Sequence, residues 1–222
     1  MQFKSLNLFT HNLKAQKEFY ISTLGAKLIS ETTENFTLEI GWTQLTFVQS
    51  TKEHFYHYCF LLPENQLTEA LNWFEKLIPI VETEEGRIVH FENWNARSFY
   101  FYDGSGNIAE CIVRHDLNNQ TDQQFDFNSL QGVNEIGLPT LSIPETLAQF
   151  NAHFPIEIWR GDTDRFAGCG DLEGLFLLPN YTVKKIWFPS EIEITPTDFS
   201  CVLEVNDQCF EMNFLDSELH VK

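Results

Sequence analysis

One structural pattern is written twice in succession at the start of this chain: an apolar strand, an amphipathic helix, then three more short strands. Such a repeat constrains architecture before any single side chain does, because each unit must bury its apolar face against a neighbour. The first copy reads as a strand at 3–9, a helix at 13–24 closed by Gly25, and strands near 27–31, 35–40 and 44–48. The second reads as a strand at 57–62, a helix at 66–77, and strands near 79–83, 97–102 and 107–113. Its helix carries Leu67, Ala70, Leu71, Phe74 and Leu77 on one stripe at helical spacing. The turn Asp103-Gly104-Ser105-Gly106 joins its last two strands as a hairpin, since glycine takes positive φ without strain.

A third copy is eroded: strand 137–143, helix 145–154 with Leu147, Phe150 and Phe154 on one face, then strands near 156–159, 165–169 and 172–178. Beyond 185 only extended segments follow, at 191–195, 200–205 and 209–214, so a fourth unit is incomplete. The polar run 116–128 reads as a linker. The expected fold class is α+β, with tandem βαβββ modules curling into a mixed sheet. Residues 1–115 should hold two paired modules forming one eight-stranded cup. A linker at 116–129 and a degenerate third plus partial fourth module at 130–222, packed beside the cup, complete the expected organisation.

The chain has 222 residues, with 32 acidic against 14 basic side chains and a net charge of −18, so its long-range field repels nucleic-acid backbones and anionic membranes. Neither is an expected partner. With no basic stretch leading into an apolar segment at the N-terminus and no run of some eighteen apolar residues, a cytoplasmic location is expected. Cys59, Cys111, Cys169, Cys201 and Cys209 are odd in number and show no Cys-x-x-Cys spacing, which reads as reduced, mostly buried thiols.

Chemistry is concentrated in the second copy. Its first strand carries His57 on the face of Cys59 and Leu61, and its last carries Glu110 on the face of Ile108 and Ile112. A carboxylate in an apolar run is costly to bury without a cation or strong donors, and neutral imidazole is the commonest metal ligand. Either the two face each other across a cavity or each points to water.

The segment LNLFTHNLKAQKEFYISTLGAKL, with Phe19-Tyr20 and Leu24-Gly25, resembles the opening of a glyoxalase or bleomycin-resistance module of the vicinal oxygen chelate superfamily. The segment SFYFYDGSGNIAECIVRH is similar to that family's closing hairpin. The resemblance covers residues 1 to about 115, the remainder entering only as an expected repeat. It implies two modules forming a cup around an open divalent metal (Mn²⁺, Fe²⁺, Zn²⁺ or Mg²⁺), with ligands from the first and last strands of each.

Carried over residue by residue, His57 and Glu110 fall on the two ligand positions of the second module, whereas Ser5 and Thr46 stand at those of the first. Half of the implied ligand set is missing, and two ligands alone make a poor metal site. In the third copy the corresponding place lies between 134 and 138, where Glu135 is the only residue able to ligate. There Pro139 disturbs the register, and an acidic residue before a strand reads more simply as a solvated end. Gln44, Gln49, Glu39, His54 and His90 are further candidates, while His11, His115, His153 and His220 read as surface groups.

Phe36, Trp42, Phe47, Trp94, Phe99, Tyr100, Phe101 and Tyr102 supply abundant aromatic surface, mostly core by strand alternation, and any that face the cup favour an apolar or aromatic small molecule. Ser5, Thr46, Phe47, Phe99 and Phe101 are the candidate pocket residues. The resemblance thus implies a metal-dependent lyase or ring-cleaving dioxygenase acting on a small apolar substrate with vicinal oxygens. The alternative is a metal-free cup that sequesters a small molecule, and self-association as a homodimer is compatible with either.

Overall fold

A computed structural model describes all 222 residues. Fifteen strands and three short α-helices are arranged as three βαβββ modules and a fourth reduced to three strands. Module one runs β1 (Gln2–Thr10), α1 (Leu13–Lys17), β2 (Lys27–Glu31), β3 (Asn35–Ile40) and β4 (Thr43–Gln49). Asn12 caps α1 by accepting from the Ala15 amide, and a π-helical turn, Glu18–Thr23, carries the chain on to Gly25, whose φ of 69° reverses it. Module two runs β5 (His57–Leu61), α2 (Leu67–Phe74), β6 (Val89–Phe91), β7 (Ala96–Tyr102) and β8 (Ile108–Arg114). Module three runs β9 (Gly132–Gly137), α3 (Ile143–Asn151), β10 (Ile158–Gly161), β11 (Phe166–Asp171) and β12 (Gly174–Pro179). The last strands are β13 (Phe199–Val205), β14 (Gln208–Leu215) and β15 (Glu218–Val221).

The modules pair in a nested order rather than in sequence order. One sheet reads β15-β14-β13-β1-β4-β3-β2 and the other β10-β11-β12-β9-β5-β8-β7-β6. In each of the three complete modules the first and last strands are parallel neighbours: β1 with β4, β5 with β8 and β9 with β12. Between modules the first strands pair antiparallel, β1 with β13 and β5 with β9. The expectation of a single cup from residues 1–115 is therefore corrected: module one shares its sheet with the fourth, and module two with the third. First-strand edges are open hydrogen-bonding edges, and any other module's first strand can satisfy them, so the repeat alone does not say which partner each finds.

The two sheets bury one face each against a common core of 45 residues, joined by Tyr20, Leu71, Phe74 and Phe150 from the helical segments. The first sheet's other face is open, so β1 and β13 alternate between buried and half-buried positions. The second sheet is covered on both faces. Every residue of β5, β8, β9 and β12 is buried, polar ones included.

Local differences from the sequence reading have identifiable causes. No strand forms at 79–83, where Pro79 lacks an amide donor; β6 forms at Val89–Phe91 instead. The second helix stops at Phe74, leaving Leu77 44% exposed. Strand β9 ends at Gly137, short of Pro139, and Ser142 caps α3 at its amino end. Four of the five free cysteines are buried and Cys209 is exposed. No helix is long and apolar enough to cross a membrane.

Candidate metal centre

Three strands of the doubly covered sheet converge their acidic and imidazole side chains on one point. Ladder pairing sets Cys59 opposite Glu110 on β8 and opposite Glu135 on β9, so the three occupy one row across β8, β5 and β9. With strands about 4.8 Å apart, the two glutamate backbones flank β5 at a separation of about 10 Å, and the small Cys59 side chain leaves room for both carboxyl groups to lean inward over it. His57 stands two residues before Cys59 on the same face. Its Nε2 lies 3.4 Å from Glu110 Oε2, and one ligand atom from each of His57, Glu110 and Glu135 falls within 4.8 Å of the others.

A bulge places the third acid. The β5–β9 register shifts between Cys59 and Phe60, leaving Asn134 as the extra residue on β9. Consecutive strand residues normally point to opposite faces, but a bulge turns both toward one partner. That partner is Arg114, two positions beyond Ile112 on the Glu110 face of β8. Its Nε donates to Asn134 Oδ1 at 2.8 Å, its Nη2 donates to Glu135 Oε1, and its guanidinium lies against the rings of Trp94 and Trp159, at 5.7 and 5.1 Å. Arg114 thereby anchors one oxygen of Glu135.

Burial dominates the electrostatics. It pushes the Glu135 carboxyl up to about 7, an effect that Arg114 opposes and Glu110 reinforces. Burial likewise raises the Cys59 thiol, with the Glu110 charge second, so Cys59 stays protonated beneath the acids. His57 Nδ1 and Arg114 Nη1 are buried without a hydrogen-bond partner.

His57, Glu110 and Glu135 form the floor of a cavity of about 170 Å³. Its walls are aromatic: Phe91, Trp94, Tyr100, Phe166, Trp187 and Phe188. A dry cavity of roughly 150 Å³ holds a benzene molecule, so this one suits a single ring. The roof is the connection between β12 and β13, held shut on itself by Trp187 N to Ile192 O at 2.9 Å and Ile194 N to Lys185 O at 2.7 Å. Trp187 sits 5.3 Å from the His57 ring and lies over Gly137, where a Cβ would come within 2.6 Å of the indole.

The structure brings His57 and Glu110 together, and adds Glu135, which sequence reasoning treated as a solvated strand end. Of the other named residues, Phe47, Phe99 and Phe101 lie in the main core. Ser5 and Thr46 sit on the open face of the first sheet, Thr46 bonded to Thr37 at 3.0 Å. His54 bonds Ser50, and Gln44, Glu39 and His90 are exposed, all away from the cavity. Tyr100, paired across the ladder with Glu110, and Trp94, from the turn before β7, do face it. Arg114 was missed, although it falls at the i+4 position of Glu110 on one strand, the signal that places both on one face.

The donors suit a divalent ion. Ligand atoms bound at about 2.0–2.2 Å stand at most about 4.4 Å apart, and the 4.8 Å spread found here needs only a small inward shift to reach that. One imidazole with two carboxylates is a hard, oxygen-rich set, which favours Mn²⁺, Fe²⁺ or Mg²⁺ over thiophilic metals.

No family model and no curated protein matches the sequence. Solved structures do match. A proposed dioxygenase from Bacillus subtilis subsp. subtilis str. 168 superposes over 100% of this chain and 84% of its own, with a TM-score of 0.64 at 13% identity. The fold is the glyoxalase-like fold of tandem βαβββ modules. Half-length matches include a lactoylglutathione lyase from Agrobacterium tumefaciens, covering 49% of this chain and 90% of its own at 19% identity and a TM-score of 0.43. A fosfomycin resistance protein from Listeria monocytogenes, solved with Mn(II) and sulfate, covers 49% and 86% at 17% identity and a TM-score of 0.39.

Proposed function

We propose that this chain is a metal-dependent enzyme, a lyase or ring-cleaving oxygenase, acting on a small and largely apolar molecule with two neighbouring oxygens. The convergence of His57, Glu110 and Glu135 on one buried point beneath an aromatic cavity carries the proposal. A divalent ion held there supplies Lewis acidity to oxygens that gain negative charge during reaction. The chain's own residues do the rest. Glu110 and Glu135 provide the negative charge that favours the ion's residence, Arg114 fixes the orientation of Glu135, and Trp187, Phe188 and Tyr100 exclude water so that electrostatic interactions inside are strengthened.

One observation supports a second reading, a metal-free binding cup. His57 stands 3.4 Å from Glu110 as Arg114 stands beside Glu135, so each acid already has a basic neighbour without an ion. Elemental analysis of the purified protein separates the two. The enzyme reading expects close to one Mn, Fe or Mg per chain, lost in Glu110→Gln; a metal-free parent that takes up none on incubation supports the binding cup.

A further inference from the structure

The cavity floor is acidic and its walls are apolar, yet one cation overlooks it. Lys184, from the connection that roofs the site, lines the cavity beside Trp187 and Phe166. Its ammonium stands 5.8 Å from the Phe166 ring and 5.6 Å from the Trp187 ring. Of its three donors, one is committed, to the Ile186 carbonyl at 2.7 Å. Although acidic residues outnumber basic ones 32 to 14, Lys184 has no carboxylate within 4 Å, and neither does its neighbour Arg165. Burial, aided by the charge of Arg165, lowers the ammonium to about 8, so it remains charged at neutral pH.

A half-buried cation without a partner is costly unless something anionic meets it. Substrate is the available candidate. The net charge of −18 repels anions from most of the surface, so an anionic molecule needs a local cation at its point of entry. We infer that Lys184 is a specificity-determining residue that pairs with an anionic substituent of an aromatic substrate, whose ring rests on Trp187, Phe188 and Tyr100. The substrate class is then an aromatic carboxylate, or a comparable anion, carrying vicinal oxygens. This rests on reading the cavity as a small-molecule site, whether or not an ion occupies its floor.

The test compares two matched probes, 3,4-dihydroxybenzoate and its neutral amide 3,4-dihydroxybenzamide, by calorimetric titration with and without Mn²⁺. The parent should prefer the carboxylate by about tenfold, as expected for one partly desolvated ion pair. Lys184→Met keeps the aliphatic stem against Phe166 and Trp187 and should bring the preference to about unity; Lys184→Arg should retain most of it. Mn²⁺ affinity should be the same in all three proteins. Equal affinity of the parent for both probes, or a preference that survives in Lys184→Met, overturns the inference. A parent that binds no Mn²⁺ but still prefers the carboxylate overturns the metal reading and upholds this one.

Discussion

Arg114 and Glu135 form an ion pair almost wholly shut off from water, the guanidinium side chain 0% exposed and the carboxylate 4%. Neither residue belongs to the same module, so the pair ties the last strand of the second module to the first strand of the third at the edge of the site. It also leaves Glu110 as the acid whose only close basic partner is His57.

Removing the cation from this pair should be severe. Arg114→Met leaves Glu135 buried without its counter-charge, and breaking a buried pair in this way costs about 3–5 kcal/mol. Urea denaturation should show a loss of that size in metal-free protein, with part of it recovered on adding Mn²⁺. A loss below about 1 kcal/mol would mean that the pair does not organise the site.

Metal-free stability should depend on pH through Glu135. Its carboxyl is raised from 4.5 to about 7 in the folded chain, so between those values the folded state binds the proton that the unfolded state has released. The stabilisation relative to the charged form is complete below about 4.5 and is lost as pH rises toward 7. Melting temperatures of Glu135→Gln should lack this component. Mn²⁺ affinity of the parent should rise over the same interval, because the ion competes with that proton.

The roof is tested at Gly137. An alanine Cβ there would lie 2.6 Å from Trp187, a ring packed between His57 and the strand. Gly137→Ala should displace the indole and cost about 1–3 kcal/mol, the range for overpacking. Near-ultraviolet circular dichroism should lose intensity in the tryptophan band, with secondary structure retained. An unchanged spectrum would show that Trp187 is not seated on Gly137.

Much of the fold is legible in the sequence because helical stripes and strand alternation are local signals. The repeated modules come from that level, whereas alternation left open whether His57 and Glu110 meet or point to water, and the structure sets their tips 3.4 Å apart. Module pairing was not legible. It depends on which first-strand edge meets which, and Leu6 and Phe60 carry no mark of preferring β13 or β9. Glu135 was misread for the same reason: as a strand end beside Pro139 it looks solvated, and only the pairing of β9 with β5 buries it over Cys59. Lys184 and Trp187 lie in a segment without periodicity, so their position over the cavity is a tertiary fact alone.

Thermal unfolding of the parent and of Glu110→Gln, each with and without Mn²⁺, tests the central claim most directly. An ion that binds only the folded chain at a hundredfold its dissociation constant stabilises it by about 2.7 kcal/mol. For a chain of 222 residues that corresponds to a rise of roughly 5–10 °C in the parent. Glu110→Gln, which keeps shape and removes charge, should melt at the same temperature with or without Mn²⁺. No shift in a parent that also contains no stoichiometric metal, together with equal or higher stability of Glu110→Gln, would contradict the metal centre and leave a metal-free cup.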